Sequence, residues 1–133
     1  MPSIIRNLPV QSGRKNAPLE RNFKMQSRIA TRFAIFRLCR RAKRRARVRG
    51  VRASVYWFGA YYIHPKHLAV IIRVRTDNDK ARLKSDPTFF ADLKTELSAV
   101  NYPLEGHAGV GFVVESHETV KRDFEGSWYY RFK

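Results

Sequence analysis

Hydrophobic and polar positions alternate along residues 68–75, and this alternation predicts a β-strand. Leucine, valine and isoleucine occupy every second position, and the last two intervening positions are Arg73 and Arg75. A period of two is typical of a strand with one buried face. Residues 55–63 are rich in aromatic and β-favouring side chains and predict another strand. Because the His-Pro-Lys sequence at 64–66 favours a turn, the two strands are predicted to form an antiparallel hairpin.

A helical pattern follows the predicted hairpin. Asp86 is a preferred N-cap residue, and Pro87 suits the first position of a helix. Apolar residues then recur at spacings of three and four as far as Val100. These features predict an amphipathic helix that ends at the Asn-Tyr-Pro sequence 101–103. Residues 77–84 predict a shorter helical turn before it.

Three more elements are predicted near the C-terminus, and they define the fold class. Residues 109–115 have the alternation of a strand, and residues 116–124 begin with a serine suited to capping a short helix. Over residues 128–133, Trp128, Tyr130 and Phe132 alternate with Tyr129, Arg131 and Lys133, which predicts a last strand. The order β-β-α-β-α-β predicts a small α+β domain with a mainly antiparallel sheet and helices on one face.

The charge of the chain is concentrated at one end. The 133 residues include 27 Lys or Arg and 11 Asp or Glu, for a net charge of +16. Residues 1–53 contain 16 of these bases and a single acid, whereas residues 54–133 are almost neutral. This asymmetry predicts two parts: a basic N-terminal arm over residues 1–53, and a folded domain over residues 54–133.

The basic arm itself divides into two segments. Residues 1–28 mix proline, glycine and polar residues with scattered bases, and they are predicted to be disordered. Residues 29–49 are a candidate arginine-rich helix, in which Ile29, Phe33 and Phe36 have the spacing of one helical face. Gly50 is suited to stop this helix.

Nucleic acid is the partner that the basic cluster predicts, with RNA favoured over DNA. Eight bases lie within 13 residues, and two further bases come from the second predicted strand. The predicted nucleic-acid contacts are Arg37, Arg40, Arg41, Lys43, Arg44, Arg45, Arg47, Arg49, Arg73 and Arg75. Arginine pairs with phosphate oxygens, and arginine-rich segments commonly fold on RNA. Such contacts predict affinity that falls steeply with salt and carries little sequence specificity.

Aromatic residues near these bases predict a stacking surface. Tyr56, Phe58 and Tyr129 share the open sheet face with the strand arginines if helices cover only the other face. Proteins that bind single-stranded nucleic acid use aromatic rings among cations, because the rings stack on the bases. Two alternatives remain open: the rings cover a small core, or the face binds a second copy or another protein.

A second interpretation places the function in residues 54–133 as a small protein-binding or regulatory module. The arm is then a targeting segment for organelle import, or a stretch read from a start codon chosen too early. Binding of the arm to an anionic membrane surface is a further alternative. No run of about 18 apolar residues exists, so no transmembrane segment is expected, and an intracellular, cytoplasmic location is favoured.

Catalytic and metal-binding patterns are weak, and the sequence favours a non-enzymatic role without a cofactor. His64 and His67 flank a turn but lack a third metal ligand nearby. Glu115 and Glu118 are interpreted as part of a solvated helix face rather than an acid–base pair. Cys39 lies among arginines, which predicts a lowered thiol pKa if the side chain is exposed.

Overall fold

The computed structural model describes residues 27–133, so residues 1–26 of the segment predicted to be disordered, residues 1–28, lie outside this range. Residues 27 and 28 are helical, contrary to that prediction. Residues 27–48 form a helix, α1, in agreement with the arginine-rich helix expected over 29–49. The helix ends at a turn in which Gly50 takes a φ of 78°, a left-handed conformation that suits glycine. Gly50 is therefore the stop signal that the sequence indicated.

Helix α1 buries a different face from the one predicted. Ile29, Phe33 and Phe36 are 50–60% exposed. Four side chains of α1 are fully buried, namely Ile35, Leu38, Ala42 and Ala46. Their spacings of three and four form a narrow apolar stripe, and the two alanines permit close packing of the helix.

The predicted domain boundary at residue 53 does not coincide with the limits of the compact unit. The compact unit extends over Ala34–Lys133, and its hydrophobic core includes the buried stripe of α1 as well as Val51. Loss of residues 1–53 as a cleaved or misread segment would remove these side chains from the core. The charge asymmetry did not reveal this packing, because most bases of α1 lie outside its narrow buried stripe.

The sheet has three strands in the order β1-β2-β3, namely β1 Ser54–Phe58, β2 Ala69–Val74 and β3 Gly111–Ser116. β1 and β2 form the expected antiparallel pair, with Tyr56 opposite Ile71. β2 and β3 are parallel, so the sheet is mixed rather than mainly antiparallel. A parallel pair needs a long crossover, which the helices between these strands supply.

The crossover contains two helices, α2 Asp77–Lys84 and α3 Pro87–Ala99. Thr76 caps α2, and Asp86 caps α3 by accepting a hydrogen bond from the Thr88 amide. The apolar residues of α3 pack with those of α1 and with Val70, Ile72 and Val74 of the central strand. These helices therefore cover one face of the sheet. Two short 3-10 helices complete the connections: Pro65–His67 precedes β2, and Leu104–Gly109 precedes β3.

The C-terminal residues are helical, contrary to the predicted last strand. α4 covers His117–Asp123, and α5 covers Trp128–Phe132. The side chain of Ser127 accepts a hydrogen bond from the Tyr130 amide and so caps α5, a local stabilisation that alternation alone does not reveal. The expected order β-β-α-β-α-β is therefore wrong at its end.

Helix α5 lies on the second face of the sheet, opposite α1 and α3. The Trp128 ring lies edge-on to the ring of Tyr56, with centroids 6.4 Å apart, and Arg131 pairs with Glu115. Tyr56 and Glu115 lie on the sheet face opposite the α1 and α3 core, since their strand partners Ile71 and Arg73 alternate with the core residues of β2. Helices therefore lie on both faces, rather than on one as predicted.

Candidate functional site

Two arginines of the basic cluster are paired with a buried glutamate of α3. Glu96 is 3% exposed, and Arg45 Nη2 donates to Glu96 Oε1 over 2.7 Å. Arg41 Nε donates to the second carboxylate oxygen. Burial alone would raise the pKa of Glu96, but the hydrogen bonds from Arg45 and Arg41 outweigh it and lower the pKa. These arginines therefore neutralise an acid of the fold.

Arg49 and Arg37 are also engaged by the fold. Arg49 donates to Asp86 and to Asp92, over 2.8 Å in each case, and its side chain is only 16% exposed. Hydrogen bonds from Thr88 and Arg49 lower the pKa of Asp86 to about 2. Arg37 donates to the carbonyl of Val100 over 2.9 Å. Four of the predicted nucleic-acid contacts thus hold α1 against α3 and the residue that follows it.

The remaining four bases of the cluster lie on the exposed side of α1. Arg40, Lys43, Arg44 and Arg47 are exposed. Within residues 27–133, none of them has an ion pair, a side-chain hydrogen bond or a ring contact. Their charges are therefore not compensated by the described part of the chain.

Two of these free bases, Lys43 and Arg47, line an open groove of about 710 Å³, here called the basic groove. The connection between α1 and β1 contributes Arg52, and β2 with its following residue contributes Arg73 and Arg75. The groove is completed by the imidazole of His117 and by small or apolar residues between these bases.

No carboxylate belongs to the lining of the basic groove as the described residues form it. Five Lys or Arg side chains converge there, and Arg52 and Arg75 are exposed. Like charges that converge on a concave surface raise the local positive potential and attract anions. The groove is therefore suited to bind phosphate groups.

A second concavity, of about 420 Å³, lies between β1 and α5 and is here called the aromatic pocket. Its lining includes all three aromatic residues that the sequence singled out for stacking. The lining residues are Tyr56, Phe58, Arg73, Trp128, Tyr129, Phe132 and Lys133. Phe58 is 41% exposed and Tyr129 is 71% exposed. The pocket thus presents accessible ring faces beside two cations.

Arg73 belongs to both concavities. Its guanidinium carbon lies 4.7 Å from the Tyr56 ring centroid and 5.5 Å from that of Trp128. Its Nε donates to the hydroxyl of Ser54 over 3.1 Å. His117 is a second link, because it lines the groove and its ring centroid lies 5.1 Å from that of Trp128. The basic groove and the aromatic pocket are therefore adjacent.

Helix α5, which supplies half of the aromatic pocket, is anchored by a buried glutamate. Glu115 is 1% exposed and accepts hydrogen bonds from Lys80, over 2.7 Å, and from Arg131. Burial favours a raised pKa for Glu115, but the hydrogen bonds from Lys80 and Arg131 outweigh it and lower the pKa. Its interpretation as part of a solvated helix face is wrong. Glu118 accepts a hydrogen bond from the Asp77 amide over 2.7 Å, so both acids serve the fold.

The described residues form neither a reactive thiol site nor a metal site. Cys39 is partly buried, and this burial raises its pKa to about 11, so the lowered pKa expected for an exposed thiol does not apply. Within the described residues, no three His, Cys, Asp or Glu side chains are grouped closely enough to hold a metal ion. The helices of residues 27–133 include none with the length and hydropathy needed to cross a bilayer.

Sequence reasoning missed several residues that line the two concavities. Arg52 directly follows the basic cluster, and its exposure next to buried Val51 and Ala53 fits the alternation of an extended segment. The predicted strand placed Trp128 and Phe132 on one face and Tyr129 and Lys133 on the other, so their meeting at one pocket was not recognised. Helical spacing of 128 and 132 was the available signal.

Comparisons with known proteins add no further information on the site. No protein-family model matches the chain, and neither a curated protein nor a solved structure matches it. The basic groove and the aromatic pocket are therefore the features from which a function is inferred.

Proposed function

We propose that this protein binds nucleic acid without catalysing a reaction, through the basic groove and the exposed bases of α1. The observation that supports this proposal is the separation of the basic cluster into two sets. Arg41, Arg45 and Arg49 are neutralised by acids of α3. Lys43 and Arg47 have no such partner and converge with other bases on a groove without a carboxylate in its described lining.

The extent of the free bases favours a polyanion over a small anion. Arg40 and Arg47 are separated by about 10 Å along the helix axis, at 1.5 Å per residue. The groove then continues the positive surface across Arg52 to Arg75 at the end of β2. A surface of this length is suited to contact several successive phosphates of one strand. Arginine supports the same assignment, because its planar donors match phosphate oxygens.

The net charge of the compact unit supports the same proposal. Residues 34–133 contain 20 Lys or Arg and 10 Asp or Glu, a net charge of +10. An excess of this size promotes encounter with polyanions at low salt. Because phosphate contacts do not read bases, we expect little sequence specificity from the groove alone.

The test is a fluorescence-anisotropy titration of labelled single-stranded RNA and DNA oligomers with the full chain. The groove variant carries Lys43→Gln and Arg47→Gln. The control variant carries Lys84→Gln and Lys94→Gln, which removes the same charge from exposed positions of α2 and α3 outside the groove. Each phosphate contact on a single strand contributes a factor of about eight at about 50 mM salt. The groove variant, which loses two such contacts, should therefore bind about 60-fold more weakly than the wild type.

The control variant should lose only the small amount expected from net charge. Equal losses in the two double variants would show that binding depends on total charge and not on the groove. An absence of binding by the wild-type chain at about 50 mM salt would refute the proposed function.

A further inference from the structure

The rings that line the aromatic pocket differ in how much of their surface is exposed. Tyr56 and Trp128 are half-buried and fixed by their edge-on contact, and Trp128 is also stacked on Phe132 with ring planes 18° apart. Phe58 and Tyr129 keep large exposed fractions at the pocket. The half-buried rings therefore form a fixed wall, and the exposed rings offer surface to a ligand.

The cations at the pocket do not neutralise an acid there. Arg73 lies over Tyr56, and Lys133 Nζ lies 5.9 Å from the ring centroid of Tyr129. In the described residues, neither side chain forms an ion pair with a carboxylate. A planar ligand that carries negative charge at one end fits this combination of rings and cations.

The position of Arg73 indicates the chemical class of that ligand. Because Arg73 lines both concavities, an anion that reaches Arg73 from the basic groove lies beside the aromatic pocket. In a nucleotide the base and the phosphate are joined through one sugar, so the two groups are close neighbours. A phosphate in the groove at Arg73 therefore places its own base or the next base at the pocket.

We propose that the aromatic pocket receives an unpaired base of a single-stranded nucleic acid whose phosphates lie in the basic groove. This inference rests on the proposed function and adds a preference for single strands. The bases of a duplex are stacked within the helix, and removal of one from the stack costs several kilocalories per mole. A duplex therefore engages the groove with its phosphates and leaves the pocket empty.

Tyr129 is the position at which this inference is tested, because the chain provides a matched control on the same helix. Tyr129 and Tyr130 are neighbours on α5 and are 71% and 57% exposed, but only Tyr129 lines the pocket. Substitution by alanine of an aromatic residue that stacks on one base lowers affinity by about 5- to 150-fold. We expect about a tenfold loss for Tyr129→Ala, since other rings of the pocket remain.

The experiment measures anisotropy with the full chain and three probes of about 12 nucleotides: oligouridine, oligothymidine and a duplex of the same length. Tyr129→Ala should weaken single-strand binding and leave duplex binding unchanged. Tyr130→Ala should alter neither. Tyr129→Phe, which keeps the ring and loses the hydroxyl, should restore wild-type binding of single strands.

The results distinguish failure of the stacking inference from failure of the proposed function. Unchanged single-strand affinity in Tyr129→Ala, or equal losses for single strand and duplex, would overturn the stacking inference. If the groove variant nevertheless weakens binding of the single strands and of the duplex, the proposed function stands. If the groove variant weakens binding of none of the three probes, the proposed function itself fails. A loss in Tyr129→Ala that is confined to the single strands would support the inference, and a higher wild-type affinity for oligouridine than for oligothymidine would identify RNA as the preferred strand.

Discussion

Replacement of Leu38 by alanine tests whether the arginine-rich helix belongs to the core of the domain. Leu38 is fully buried on the inner stripe of α1. A buried Leu→Ala change costs about 2–5 kcal/mol, because lost contacts and the residual cavity add. The neighbouring Ala42 has little side chain to fill the space, so we expect a value of about 3 kcal/mol. This is a large part of the roughly 5–15 kcal/mol available to a 100-residue unit.

Urea denaturation followed by circular dichroism measures this effect. With a denaturant slope of about 1.5 kcal/mol per molar, the unfolding midpoint should fall by about 2 M. Phe36→Ala is the control on the same helix, because Phe36 is 51% exposed and its loss should cost less than about 0.5 kcal/mol. Equal midpoints for Leu38→Ala and Phe36→Ala would refute the assignment of α1 to the core and would restore the interpretation of a detachable arm.

Three more predictions follow from the ion pairs and from the single cysteine. Glu96→Gln should destabilise the chain by about 2 kcal/mol in urea titrations, since it weakens charge-assisted hydrogen bonds whose arginines are partly exposed; an unchanged midpoint would contradict this. The pKa of Asp86 is lowered to about 2 in the folded state, so its stabilising contribution is present above the ordinary carboxylate pKa of about 4 and is lost as the pH falls toward about 2. Thermal melts between these pH values should show a larger decrease in Tm for the wild type than for Asp86→Asn, and parallel curves would be inconsistent with the assigned hydrogen bonds. Cys39 should react with a thiol reagent at neutral pH roughly 100-fold more slowly than free cysteine, because its pKa is raised to about 11; labelling at the rate of the free amino acid would refute its burial.

The strands and the crossover helices were predictable because their local signals agree with the tertiary packing. Alternation marked β2, and the Asp86-Pro87 pair marked the start of α3. Helix α1 was recognised, but its buried face was not. The exposed Phe33 and Phe36 have a stronger hydrophobic signal than the small Ala42 and Ala46 that the core selects.

The C-terminal helix shows a different limit of sequence reasoning. A six-residue aromatic segment fits a strand by alternation and a helical turn by the spacing of 128 and 132. The choice is made by non-local contacts, namely the pairing of Arg131 with Glu115 and the contact of Trp128 with Tyr56. The three predicted stacking residues nevertheless line one pocket, because two are on β1 and α5 lies against that strand.

The same limit applies to the basic cluster. Composition predicted positive charge but not which bases the fold neutralises. Arg41, Arg45 and Arg49 recur every fourth residue, and the acids Asp92 and Glu96 of α3 have the same spacing. Such matched stripes predict helix pairing once both helices are known to be neighbours, which a single sequence does not establish.

The most direct test of the account is the salt dependence of binding by the groove variant. The affinity of the full chain for a single-stranded oligomer of about 12 nucleotides is measured from about 50 to 200 mM salt. We expect Lys43→Gln with Arg47→Gln to reduce the slope of log affinity against log salt by about 1.4, or about 0.7 for each lost phosphate contact. Arg45→Gln, which removes an ion pair of the fold, should leave that slope unchanged. A slope that is the same in the groove variant and the wild type would contradict the assignment of the basic groove as the nucleic-acid site.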